Sequence, residues 1–99
     1  LYVSGKFIVN LQVKNVNKFL EVTMYLEYDP DKKKKIDGEL KDKAPMMRDA
    51  VIEILRSKSS TDFSQQGVDS LKKEVIGRIN PLLTTGKIRD VYFNDILVQ

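Results

Sequence analysis

Fourteen carboxylates are the main stock of reactive groups in this 99-residue sequence, which contains neither histidine nor cysteine. Those two absences remove most zinc sites and every Cys–His or Ser–His nucleophile. Acids, serines and lysines are left to do any chemistry. Asp29 with Asp31, and Glu39 with Asp42, stand close enough in sequence to share a cation or a proton. They flank turns and polar helix faces, where solvated acids are the norm. Ser57-Lys58-Ser59-Ser60 has the residue types of a serine–lysine dyad. Such a dyad needs a desolvated lysine of lowered pKa, whereas this stretch is polar and lies at a helix end, where capping is the expected role. Gly86-Lys87 resembles the end of a phosphate loop, but Pro81 occupies the first glycine position and Ile88 stands where serine or threonine must follow. These residues point away from an enzyme and nominate no catalytic, cofactor or metal ligand.

Binding through charge or aromatic anchors is the other possibility. Lys32-Lys33-Lys34-Lys35 is a block of like charge suited to the phosphates of nucleic acid or lipid. No aromatic interleaves with it, so a stacking platform for single strands is missing. Asp29, Asp31 and Asp37 flank it, and the net charge of the chain is a mild +3. A solvated helix start is expected, frayed or looped because four cations oppose the helix dipole; no nucleic-acid partner is expected. Phe7, Tyr28, Phe63, Tyr92 and Phe93 are expected to pack in the core. Phe63, or one of Tyr92 and Phe93, would mark a partner contact if exposed. Arg48, Glu53 and Arg56, on the polar face of a central helix, join Lys32–Lys35 as interaction candidates.

These residues must be held by a small scaffold. Phe7, Val9, Leu11 and Val13 alternate as the inner face of a strand, and Leu20, Val22, Met24, Leu26 and Tyr28 as that of a second. Asn15–Lys18 supplies turn chemistry between them, so an antiparallel hairpin is expected. Asp29-Pro30-Asp31 ends the second strand and suits a helix start. Ile36, Leu40, Ala44, Met47, Val51, Ile54 and Leu55 then recur at helical spacing, with Pro45 set to kink the helix or divide it. Ser57–Thr61 breaks the pattern, with Thr61 or Ser60 as a cap for a short turn. Val68, Leu71, Val75, Ile79 and Leu82 mark a second helix, disturbed at its end by Asn80-Pro81. Gly86 is expected in the left-handed conformation that terminates helices. Ile88–Val98 completes the set as a strand. Val91 and Phe93 fall on one face, and Tyr92, Ile96 and Val98 on the other, with a bulge at Asn94-Asp95. The order strand-strand-helix-helix-strand implies an α+β fold over residues 1–99, with two main helices packed on a small antiparallel or mixed sheet of about three strands.

Four stretches resemble the FliL family of flagellar basal-body-associated proteins. They are Lys6–Leu11 with Lys18–Val22, Met47–Lys58, Gly67 with Leu71–Val75 and Ile79-Asn80, and Gly86–Gln99. Their order and spacing carry the resemblance. Lys32–Lys35 and the tract to Lys43 are longer and more basic than the family's pattern, and Asn94 stands where threonine or a similar residue is expected.

The resemblance implies a domain on the periplasmic face of the bacterial inner membrane, tethered by an anchor outside this chain. The sequence opens on Leu1 rather than methionine, and it contains no run of about 18 apolar residues able to span a bilayer. A piece of a longer protein is therefore expected. The resemblance further implies a fold like the stomatin and prohibitin scaffold domain and ring-like self-assembly. Its partners would be the flagellar stator proteins MotA and MotB, with no cofactor. The alternative is a stomatin- or prohibitin-like membrane scaffold with no flagellar role. Two weaker rivals are a lipid- or nucleic-acid-binding module working through the lysine run, and a hydrolase.

Overall fold

The computed structural model describes residues 1–11 and 17–99. Val13 and the turn residues Asn15 and Val16 lie outside the described residues. Strand β1 (Tyr2–Leu11) pairs antiparallel with β2 (Lys18–Tyr28), setting Leu11 opposite Lys18, Phe7 opposite Val22 and Tyr2 opposite Leu26. Strand β3 (Ile88–Val98) pairs antiparallel with the other side of β2, so the sheet order is β1-β2-β3. The alternation of β2 is strict: Leu20, Val22, Met24, Leu26 and Tyr28 are all 4% exposed or less. Period-two side chains leave a pleated strand on opposite faces, so one face of the central strand is wholly core.

Both flanking strands slip beside it, β1 once and β3 twice, the second time at Arg89 between Ile88 and Asp90. Between Val3 and Gly5 the β1 register shifts, and Gly5 takes φ +87°. On β3 the expected bulge is present: Asp95 and Ile96 together oppose Val22, and Asp95 takes φ 55°. That extra residue corrects one expectation. Val98 returns to the core face opposite Leu20, instead of sharing the open face with Tyr92. Strand β1 also starts earlier than the alternation implies, because the slip at Ser4-Gly5 hides the period of its first half.

Three α-helices cover one face: α1 (Lys33–Asp42), α2 (Ala44–Arg56) and α3 (Gln65–Ile79). Pro45 sits in the first turn of α2, where its missing N–H has no partner to lose, and it divides the expected central helix. The lysine block is helical rather than looped. Asp29 accepts from the Asp31 amide at 3.0 Å and starts a 3-10 turn at Pro30–Lys32. Lys33 then pairs with Asp37 one turn on, at 2.8 Å, and this offsets the unfavourable dipole. Helix α2 lies over β1 and α3 over β3, with α2 and α3 in contact.

Two local expectations are corrected. Ser59, not Ser60 or Thr61, starts the short turn at Ser60–Phe63: Asp62 accepts from its amide at 2.8 Å. At the end of α3 the Asn80-Pro81-Leu82 turn is 3-10, which rotates Leu83 into the core and leaves Leu82 half-buried. The Asn80 amide group mimics a strand neighbour, accepting from Ile88 N–H at 2.7 Å and donating to its carbonyl at 3.2 Å.

Ile36, Leu40, Val51, Leu55, Val75 and Ile79 are fully buried against the inner faces of Phe7, Leu20, Met24, Leu26 and Val91. Gly86 is not left-handed. A Cβ there would come within 2.5 Å of Ile36 Cδ1, so the residue is small because α1 presses on it.

Candidate functional site

The interaction candidates fall at different places. Lys32–Lys35 lie at the end of the molecule where β2 passes into α1. The start of β1 and the start of β3 are at that same end, since Tyr2 pairs with Leu26 and Ile88 with Tyr28. The four lysines are exposed. Lys33 is paired with Asp37, and among the described residues Lys32, Lys34 and Lys35 take part in no ion pair. Lys32, Lys34, Lys35, Asp31 and Thr85 line a shallow hollow of about 350 Å³.

Beneath this surface Glu39 is a fastening rather than a proton carrier. Its carboxylate accepts from the amides of Thr84 and Thr85 at 2.9 Å and from their hydroxyls at 2.8 and 2.7 Å. Lys43 adds an ion pair at 2.7 Å and also donates to the Leu82 carbonyl. The Lys43 ammonium and the Thr85 donors hold the Glu39 carboxyl far below the usual carboxylate range. Asp42 is not part of the cluster, so the Glu39–Asp42 pair does not form. Sequence reasoning missed this anchor. Glu39 and its threonine partners are 45 and 46 positions apart, and only the fold brings them together.

Nearby, the buried Tyr28 hydroxyl donates to Asp37. Burial first, and that bond second, push the phenol up to about 12. Asp37 is held below its usual range by hydrogen bonds from Lys33 and Tyr28.

Arg48 leaves the solvent face it was expected to occupy. It projects from α2 onto β1, with its guanidinium 4.1 Å from the centroid of the Phe7 ring, and it donates to the Ser4 and Lys6 carbonyls. Glu53 and Arg56 stay exposed and border a hollow of about 390 Å³ with Asp49, Ile52 and Ser57. Glu53 pairs with Arg78 of α3 at 3.5 Å. Phe63 is half-buried against the core.

The sheet face opposite the helices is open. Rows of Val3, Tyr25 and Tyr92, and of Ile8, Glu21 and Leu97, cross all three strands. Val3, Ile8, Phe19 and Leu97 are exposed on this mixed face. Tyr92 donates to Glu27 at 2.8 Å, and Lys72 lies 5.6 Å from its ring centroid.

The serine–lysine dyad is not assembled. Ser57 donates to the Ile54 carbonyl, Lys58 pairs with Glu74 at 2.9 Å and Ser59 bonds Asp62. Asp29 pairs with Arg89. Among the described residues no group of three or more acids is placed to hold a metal ion, and no helix is long and apolar enough to cross a membrane.

Comparison with known proteins bears on these surfaces. The family model for "Flagellar basal body-associated protein FliL" matches residues 1–99. The flagellar protein FliL of Aquifex aeolicus (strain VF5) is 36% identical over 94 residues, covering 94% of this chain. The match spans 56% of that relative's length. A match running through both hairpin strands, all three helices and the closing strand places the chain in the FliL family of flagellar basal body-associated proteins.

Proposed function

We propose that this chain is the periplasmic interaction domain of a membrane-anchored accessory protein of the flagellar basal body, and that it supports the MotA–MotB stator without catalysing a reaction. The observation that carries this reading is the end-to-end match to a basal-body-associated family. Two surfaces suit an assembly role. The open sheet face offers apolar residues spaced among polar ones, and the outer side of α2 offers Glu53 and Arg56 around a hollow. Copies would join head to tail around the stator, since a heterologous contact that closes by rotation gives a ring. Tethering in a membrane raises effective concentration, so each contact can be weak.

The test is motility and filament number in a strain lacking the gene. Filaments present but turning weakly under viscous load support stator assistance. Missing filaments transfer the role to assembly or export. Normal swimming and swarming under load reject the flagellar reading and favour a general membrane scaffold.

A further inference from the structure

We propose that the lysine-bearing end of the domain docks on anionic lipid headgroups through Lys32, Lys34 and Lys35. The proposal rests on the reading above in one respect, that an anchor preceding Leu1 would hold this end against a bilayer.

The pairing register supplies the geometry. Because Tyr2 lies opposite Leu26, the chain's first residues emerge beside the junction of β2 and α1. The lysines occupy that junction, and the Thr84–Gly86 loop closes its other side through the Glu39 clamp. Leu1 is itself an exposed apolar residue at this end. The molecule is elongated, with extents of 46 × 24 × 21 Å, so its two ends face different surroundings.

Charge complementarity selects the partner. The flanking acids are largely occupied: Asp29 pairs with Arg89, Asp37 with Lys33 and Glu39 with Lys43. Asp31 and Asp42 oppose the lysines at the rims of the adjoining hollows. Lys34 and Lys35 line both hollows, and the Lys32 stem packs beside Gly86. Three cations without acidic partners therefore converge on one side of the Thr85 loop. A lysine ammonium is a compact point charge, suited to phosphodiesters without demanding a fixed geometry. No aromatic residue stands among them, which fits phosphate contact better than base stacking.

Co-sedimentation of the full chain with vesicles tests the proposal. Phosphatidylcholine vesicles are compared with vesicles also containing phosphatidylglycerol. Binding is expected only to the anionic vesicles and should weaken as salt is added. Replacing Lys32, Lys34 and Lys35 with glutamine should lower the partition coefficient by roughly 100-fold, at about fivefold per lysine. A control with Lys18, Lys58 and Lys73 changed to glutamine removes the same charge elsewhere and should retain most of the binding. An equal loss in both variants, or no preference for anionic vesicles, overturns the proposal. So does loss of binding to added inorganic phosphate at matched ionic strength, which would assign the lysines to a soluble anion. Circular dichroism of each variant separates lost binding from lost fold. The vesicle result does not depend on motility, so it can fail while the flagellar reading stands, or stand while that reading fails.

Discussion

The guanidinium of Arg48 stacks on the ring of Phe7, 4.1 Å from its centroid, while its nitrogens bind the carbonyls of Ser4 and Lys6. One helix side chain thereby closes part of the free edge of β1 at the point where its register slips. Unpaired edge groups are a template for unwanted strand addition, and a cation with several donors can occupy two carbonyls at once. Arg48→Ala is expected to cost about 1–2 kcal/mol from the stacking and hydrogen bonds together, lowering Tm by roughly 4–8 °C per kcal/mol in a domain of this size. Arg48→Lys should lose about half as much, since a single ammonium cannot reach both carbonyls in the same geometry. Thermal unfolding followed by circular dichroism measures both, and equal stability of all three proteins would remove the edge-closing role.

Gly5 and Gly86 should respond differently to alanine. At Gly5 there is space, since an added methyl would sit 3.6 Å from Arg48 Nη1, but φ is +87°. The expected cost of Gly5→Ala is about 1–2 kcal/mol of backbone strain. At Gly86 the backbone is ordinary and the space is taken by Ile36. Gly86→Ala is expected to cost about 1–3 kcal/mol as overpacking. Combining it with Ile36→Val should recover part of that loss, whereas the same partner change should bring no recovery to Gly5→Ala. Double-mutant cycles in urea decide the matter.

Glu39 should make the fold acid-sensitive. Its carboxyl is held below the ordinary value of 4.5 by Lys43 and the two threonines. A depressed folded-state pKa gives a contribution that is complete above the unfolded value and is lost as pH falls below it. Stability should therefore decline as pH drops from about 4.5, because protonation competes with the clamp. Glu39→Gln should lower Tm at neutral pH and flatten that decline. Asp37 and Asp62, whose carboxyls are also lowered, should preserve the rest of the slope. Tm against pH for the two proteins provides the comparison.

Tyr28 sets the opposite limit. Burial and the bond to Asp37 raise its phenol from 10.0 to about 12. The neutral phenol is the form the fold prefers, so this contribution is complete below pH 10 and is lost as pH rises toward 12. Tyr28→Phe should cost about 1–2 kcal/mol at neutral pH through the lost hydrogen bond and should reduce the alkaline loss. An unchanged alkaline limb would assign it to other groups, Tyr92 first among them, whose phenol is also raised by its bond to Glu27.

How far the sequence revealed this molecule varies by element. Strand β2 was legible because it is central and buried on one face alone, so its alternation is unbroken from Leu20 to Tyr28. The division at Pro45 was legible because proline acts through its own ring and missing donor. The first half of β1 was not, because the extra residue at Ser4-Gly5 breaks the period that identifies a strand. The helical state of Lys33–Lys35 depended on Asp29 and Asp37, whose local bonds outweighed like-charge repulsion. The Glu39 clamp joins groups 45 and 46 positions apart, and no local pattern encodes such a contact. Arg48 has the residue type and helix position of a partner-facing side chain, yet it turns inward onto β1 at the slip, over Phe7 and the Ser4 and Lys6 carbonyls. Membership of the family was legible because it is spread over the whole chain and does not depend on any one of these sites.

Of the three slips in the outer strands, two lie almost abreast, one beside Met24 and the other beside Val22, and the third sets Arg89 apart at the start of β3. The central strand keeps its phase throughout, while each neighbour reverses phase near the midpoint. The sheet is therefore two short panels joined across one line, with inward and outward positions exchanged on the flanks but not in the middle. Deleting Asp95 would leave Ile96 alone opposite Val22 and straighten the strand, with Leu97 still outward opposite Glu21 and Val98 still inward opposite Leu20. Loss of the extra residue at a slip should thus be tolerated without exchange of faces, whereas a change of chain length elsewhere in a flanking strand must either open a new slip or exchange the faces of every residue beyond it.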